Sequence, residues 1–142
     1  MRFWDSSAVI PLLVAETASR DIQDLFEADP VMIVWWATDI ECVSAIARQQ
    51  RLGRPSEETA VNGHERLNAL RTAWHEVEPT DGIRESAKRF LRVHDLRTAD
   101  ALQLAAALFA SEDRPSTLEF LSLDERLLTA ARREGFVVTK VG

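Results

Sequence analysis

The sequence predicts an α/β fold, a parallel sheet with helices on both faces. Five short runs rich in apolar and β-branched residues recur along the 142 residues, and each is separated from the next by segments with helical spacing. Strands that alternate with helices pair in parallel, because the crossover helix must pack back onto the sheet. One segment, LRTADALQLAAALF at 96–109, points the same way: from Ala101 to Phe109 its only polar residue is Gln103. A helix apolar on nearly every side belongs inside a fold.

The elements follow in order. Residues 2–4 form a short strand, and 6–14 a helix. Helical spacing of Ile22, Leu25 and Phe26 marks a helix over 17–27, stopped by Asp29-Pro30. Residues 31–35 (VMIVW) are the clearest strand. A helix over 38–51 ends at Gly53, and another runs over 56–72 with Ser56 as N-cap after Pro55. A third strand at 74–77 precedes an amphipathic helix over 83–93 and the buried helix over 99–110. The loop 111–117 is the one expected flexible excursion. A strand at 119–123, a helix over 124–134 capped by Gly135, and a strand at 136–139 complete one expected domain, 1–142, without repeats or linker.

Composition excludes several classes. A chain of this length buries about 70% of its unfolded surface. Lys and Arg number 17 against 23 Asp and Glu, a net charge of −6, so the whole lacks the basic footprint of a general nucleic-acid binder. A local basic strip remains compatible with that total. Cys42 is the single cysteine, so no intrachain disulfide or cysteine zinc site forms, and His64, His75 and His94 lack ligand spacing. The first apolar run, 8–15, is short, contains Pro11 and follows Asp5, unlike a signal peptide or a membrane span. The expected location is the cytoplasm.

Four acids hold related positions. Asp5 follows the first strand, Glu41 lies in the first turn after the second, Asp100 opens the buried helix and Asp124 follows the fourth strand. In open parallel sheets the carboxyl ends of strands and the adjoining helix N-termini form the binding edge. Each acid alone also reads as a helix cap or first-turn acid. Thr38-Asp39-Ile40-Glu41 matches a capping box, and Asp124 suits an N-cap. Capping leaves two facts unexplained: Asp100 precedes an unusually apolar helix, and Asp5 is followed by two better-suited caps, Ser6 and Ser7. Clustered carboxylates repel unless a cation joins them, and Mg²⁺ or Mn²⁺ takes oxygen ligands.

Taken together, FWDSSAVI at 3–10, DIECVSAI at 39–46, RTADALQLA at 97–105 and FLSLDERL at 120–127 resemble the PIN-domain ribonucleases, specifically VapC-type toxins, from end to end. The resemblance implies a three-layer α/β/α sandwich around a five-stranded parallel sheet. It implies Mg²⁺- or Mn²⁺-dependent endoribonuclease activity, a small cognate antitoxin and a two-fold homodimer. Position by position, Asp5, Glu41, Asp100 and Asp124 match the acidic quartet, and Ser7 the hydroxyl residue beside the first aspartate. Asp5, Asp100 and Asp124 are the expected metal ligands, with Glu41 binding through water or orienting the nucleophile. Asp39 has no place in that pattern.

Other features carry two readings each. Arg48, Arg51 and Arg54 recur every three residues and are candidates to steer an RNA backbone, or a solvated face. Arg84, Lys88, Arg89 and Arg92, interleaved by Glu85, read as a solvated face. Trp35-Trp36 reads as core plus packing surface rather than a base-stacking platform, Cys42 as a buried hydrophobe, and His94 as packed or solvated rather than supporting the site. A housekeeping RNA-processing nuclease is the alternative on the same fold. A phosphorylation-switched receiver domain also combines this length with an acidic Mg²⁺ site, and Lys140 suits it. It lacks the phospho-accepting Asp, because the third strand leads into Glu78-Pro79.

Overall fold

Five strands, β1 (Arg2–Trp4), β2 (Met32–Trp35), β3 (His75–Val77), β4 (Glu119–Leu121) and β5 (Val137–Val138), form one sheet in the computed structural model, which describes residues 1–53, 56–139 and 141. Every neighbouring pair is parallel, in the order β3-β2-β1-β4-β5. The chain builds β1, β2 and β3 outward on one side, then returns to the other side of β1 for β4 and β5. The order therefore reverses between β1 and β4, and the crevice outside their carboxyl ends is where such sheets bind ligands. A receiver domain has its third strand at the centre of the sheet. Here β3 is an edge, which excludes that reading.

The helices are α1 (Ser6–Val9), α2 (Ser19–Ala28), α3 (Thr38–Arg51), α4 (Glu57–Arg71), α5 (Asp81–Val93), α6 (Thr98–Ala110) and α7 (Glu125–Arg133). Strand alternation sends successive side chains to opposite faces. Phe3, Ile33, Trp35 and Phe120 pack with residues of α5, α6 and α7, while Trp4, Met32, Val34 and Leu121 pack with residues of α1 to α4. The result is a three-layer α/β/α sandwich. Register places Phe3 opposite Phe120, their rings stacked 5.4 Å apart, with Phe136 5.6 Å beyond.

α6 is apolar all round because it is covered nearly all round. Ala101, Leu104, Ala105, Ala106 and Ala107 are buried in the cluster that holds Ile83, Ala87 and Phe90 of α5, and beyond the first turn Phe109 emerges, at 54% exposure. Ser56 and Thr80 cap α4 and α5 by accepting from Thr59 and Ile83 N–H. Gly135 follows α7 with φ +99°, a conformation that glycine adopts without a steric penalty.

Boundaries shift where side chains compete with backbone pairing. The expected helix over 6–14 is an α-turn to Val9 and then a 3₁₀ turn, Ile10–Leu12, around Pro11, which has no N–H to give. α2 begins at Ser19 rather than 17, since the Ser19 hydroxyl accepts from Glu16 N–H. β4 ends at Leu121, two residues early: Leu123 N–H turns to the Ser7 hydroxyl and Asp124 N–H to that of Ser122. The loop 111–117 is a hydrogen-bonded turn with Glu112 and Asp113 at positive φ. Among the described residues, no helix is long and apolar enough to cross a membrane.

Candidate active site

Asp5 stands at the reversal point of the sheet. Its N–H donates to Leu121 O (3.0 Å), extending the β1–β4 ladder by one residue, and Asp5 as a whole is only 2% exposed. Its carboxylate does not cap α1. Instead Oδ2 accepts from the Ser7 hydroxyl (2.5 Å) and the Ser122 hydroxyl (2.8 Å). Both serines accept in turn a backbone N–H from the β4–α7 turn, at 2.9 and 3.0 Å. The two hydroxyls thus tie the carboxylate to the end of β4 by charge-assisted bonds. Burial raises the Asp5 carboxyl above its ordinary range, and the Ser7 and Ser122 hydrogen bonds draw it partly back.

Glu41 is partly buried on α3. Its Oε2 accepts from the Ser6 hydroxyl (2.8 Å) and its Oε1 from the Gln103 amide (3.0 Å). Burial raises this carboxyl, Ser6 and Gln103 oppose the rise, and the charges of Asp5 and Asp100 add to it. The expected capping box is absent. Ala37 is the N-cap without a side-chain bond, and Thr38 is fully buried, with its Oγ1 accepting from Gln103 Nε2 (3.0 Å). Glu41 is therefore released from helix capping and turned toward Ser6 and Gln103.

Asp100, in the first turn of α6, is pushed up to about 6 by burial and then by the charges of Asp124 and Asp5. Asp124 caps α7 by accepting from Leu127 N–H (3.0 Å) through Oδ1, which leaves Oδ2 outside that bond. The four acids come from four separate segments and share one electrostatic field. All their donors are carboxylate oxygens, the set a hard divalent cation takes. The Asp124 and Asp5 charges that raise Asp100, and the Asp5 and Asp100 charges that raise Glu41, are what a cation relieves. Among the described residues no three His, Cys, Asp or Glu side chains close round a single point. Mg²⁺ usually keeps several waters and uses one or two carboxylates, so the donor set fits it without such closure.

The PIN domain family matches residues 2–133. The chain belongs to the PIN-domain family. No curated protein sequence matches it. Three solved structures share its fold. A toxin–antitoxin complex from Klebsiella pneumoniae has 15% identity and TM-score 0.67, covering 99% of this chain and 97% of that one. FitAcB from Neisseria gonorrhoeae has 14% identity and TM-score 0.67 with the same coverage, 99% and 97%. VapC20 of Mycobacterium tuberculosis, a toxin that cleaves the sarcin–ricin loop, has 20% identity and TM-score 0.70, covering 96% and 97%.

The remaining sequence features of this PIN domain separate clearly. Asp39, unplaced by sequence, pairs with Arg71 of α4 (3.4 Å). Arg48 and Arg51 are exposed, while Arg54 lies outside the described residues. Ser6, Ile10, Ile40, Glu41, Ser44, Ala45 and Arg48 line a groove of about 430 Å³ that joins an acid of the quartet to the first of these cations. On α5, Arg84 pairs with Asp81, Lys88 with Glu85 and Arg89 with Glu134. His94 is held by Glu134 at 2.7 Å. Trp35 is buried, and Trp36 is 44% exposed.

Sequence reasoning missed Ser6, Ser122, Thr38 and Gln103 as site residues. Only Gln103 left a visible signal, as the single polar residue one turn after Asp100 in an apolar helix. Cys42 is fully buried, and burial with the Glu41, Asp39 and Asp5 charges pushes its thiol up to about 12. Thiol reagents react with the thiolate, so the native PIN domain at pH 8 is expected to resist an aromatic disulfide reagent. Full labelling is expected only in denaturant; rapid stoichiometric labelling without it would contradict this placement.

Proposed function

We propose that this PIN domain is a Mg²⁺- or Mn²⁺-dependent endoribonuclease that hydrolyses RNA phosphodiester bonds as the toxin of a type II toxin–antitoxin pair. The observation that carries the reading is the electrostatic coupling of four carboxylates around the β1/β4 reversal point. The Asp124 and Asp5 charges act on Asp100, which burial and those charges push up to about 6, and the Asp5 and Asp100 charges act on Glu41. Asp5 is locked by two serine hydroxyls. Asp5, Asp100 and Asp124 hold the cation, and Ser7 keeps Asp5 in place. A divalent cation bound there lowers the pKa of water and offsets charge building on the phosphate. Glu41, raised by burial, orients the attacking water and takes up its proton. Arg48 and Arg51 contact the RNA backbone along the groove beside Glu41, which reconciles an acidic chain with a polyanionic substrate.

A loop-bearing RNA is the proposed substrate, because sequence-specific recognition of RNA favours unstacked strands and the fold relative VapC20 cleaves the sarcin–ricin loop. A small antitoxin and a second copy are the proposed partners. Trp36, Ile40 and Val43, exposed at i, i+4 and i+7, offer an apolar strip for association in a two-fold dimer. Expression without a partner is expected to arrest growth, and purified protein to cleave a stem–loop RNA with Mn²⁺ or Mg²⁺ but not with EDTA. Normal growth together with intact RNA, from folded protein supplied with metal, would overturn the reading.

A further inference from the structure

Gln103 is 1% exposed, in a helix whose other buried residues are all apolar. Both N–H groups of its amide are spent on α3: one donates to Thr38 Oγ1 and the other to Glu41 Oε1, each at 3.0 Å. The two acceptors lie three residues apart on α3 and share a face, as Asp100 and Gln103 do on α6. One amide therefore joins the helix that carries Asp100 to the helix that carries Glu41. Its orientation follows from chemistry, since turning it over would set its carbonyl oxygen against a carboxylate oxygen. Among the described residues that carbonyl oxygen is buried without a protein donor, so the amide is not there to satisfy itself.

The residue type is also selective. A Lys or Arg here would neutralise Glu41, and an Asp or Glu would repel it. A hydroxyl has one proton and cannot hold two acceptors. An amide fixes the carboxylate and leaves its charge intact. We propose that Gln103 is the positioning residue of this site: it sets the Glu41 carboxylate and ties the start of α3 to the start of α6, so that Glu41 and Asp100 face one cation. The role at a cation rests on the nuclease reading; the amide bridge itself does not.

The test uses the full chain with Gln103→Met, which keeps an unbranched side chain of similar bulk, Glu41→Gln, and the double variant. Supporting bonds of this kind typically change metal affinity or activity by about 10- to 100-fold. The expected result is a kcat about 10- to 100-fold lower in Gln103→Met, with KM for a stem–loop RNA within about two-fold. In the Glu41→Gln background the same change should cost clearly less than in the wild type, because the part of its action that runs through the Glu41 carboxylate is already gone. Without any turnover, the Gln103 side-chain amide signals in a ¹H–¹⁵N spectrum should shift on Glu41→Gln and on adding Mg²⁺. If Gln103→Met does not fold, Thr38→Val removes the amide's second anchor and should give a smaller loss of kcat with the same KM. A wild-type kcat, a loss expressed in KM, or an undiminished loss in the Glu41→Gln background would overturn the proposal. Amide signals that respond to Glu41→Gln in a protein that neither binds Mg²⁺ nor cleaves RNA would instead overturn the nuclease reading while leaving the bridge standing.

Discussion

Asp100→Asn is expected to lower RNA cleavage by roughly 10²- to 10³-fold, while raising the stability of the metal-free protein. The two effects have one cause. Asp100 titrates at about 6, against 3.8 for an ordinary aspartate, because burial and the Asp124 and Asp5 charges disfavour its ionised form. A carboxyl whose folded pKa is raised contributes its stability fully below the unfolded value and loses it as pH rises through the folded one. Wild type and variant should therefore match near pH 3.5, diverge between about 4 and 6, and stay separated by about 1 kcal/mol at pH 8, after discounting the shift for partial solvent screening. The wild type should recover the difference when metal is added, since a ligand present at 100 times its Kd stabilises by about 2.7 kcal/mol. Thermal unfolding in EDTA and in Mg²⁺, beside cleavage of a stem–loop RNA, reads both arms. Full activity with an unchanged response to Mg²⁺ would reduce Asp100 to a first-turn acid, whose charge acts only on the helix dipole and is worth under about 1 kcal/mol.

Phe120→Ala is expected to cost about 3–5 kcal/mol, the usual range for emptying an aromatic site in a core. That corresponds to a fall of about 10–15 °C in melting temperature for a chain of this size. Phe120 is fully buried on the interior strand β4 and lies between the rings of Phe3 and Phe136, so no neighbour can fill its place without giving up its own packing. The effect should reach the site. Ser122 is two residues further along, and its bond to Asp5 depends on where β4 ends. Metal affinity should fall even well below the new melting temperature, whereas Val137→Ala, on the half-exposed edge strand β5, should leave it alone. A loss under about 1 kcal/mol would show that the aromatic stack is not what holds β1 to β4.

The alternation of strands and helices, the wholly apolar α6 and the four acids at helix starts were legible in the sequence, because each is a local pattern with a physical period or position. The acids' distinction from ordinary caps was legible only in part. The sequence offered Ser6 and Ser7 as caps in place of Asp5. In the structure both lie inside α1 and Asp5 is the N-cap by position, its carbonyl accepting from Ala8 N–H while its carboxylate takes the Ser7 and Ser122 hydroxyls. At Glu41 the local pattern misled: a capping box is a contest between nearby groups, and Ser6 and Gln103, 35 and 62 residues away in the chain, won it. Strand order was invisible, because β-branched runs state that they pair but not with whom. Tertiary structure alone decided that β1 lies beside β4, which brings Ser122 to Asp5, and that α6 and α3, on opposite faces of the sheet, approach each other where Gln103 reaches Glu41. Those contacts depend on loop closures across most of the chain, and no short stretch of sequence encodes them.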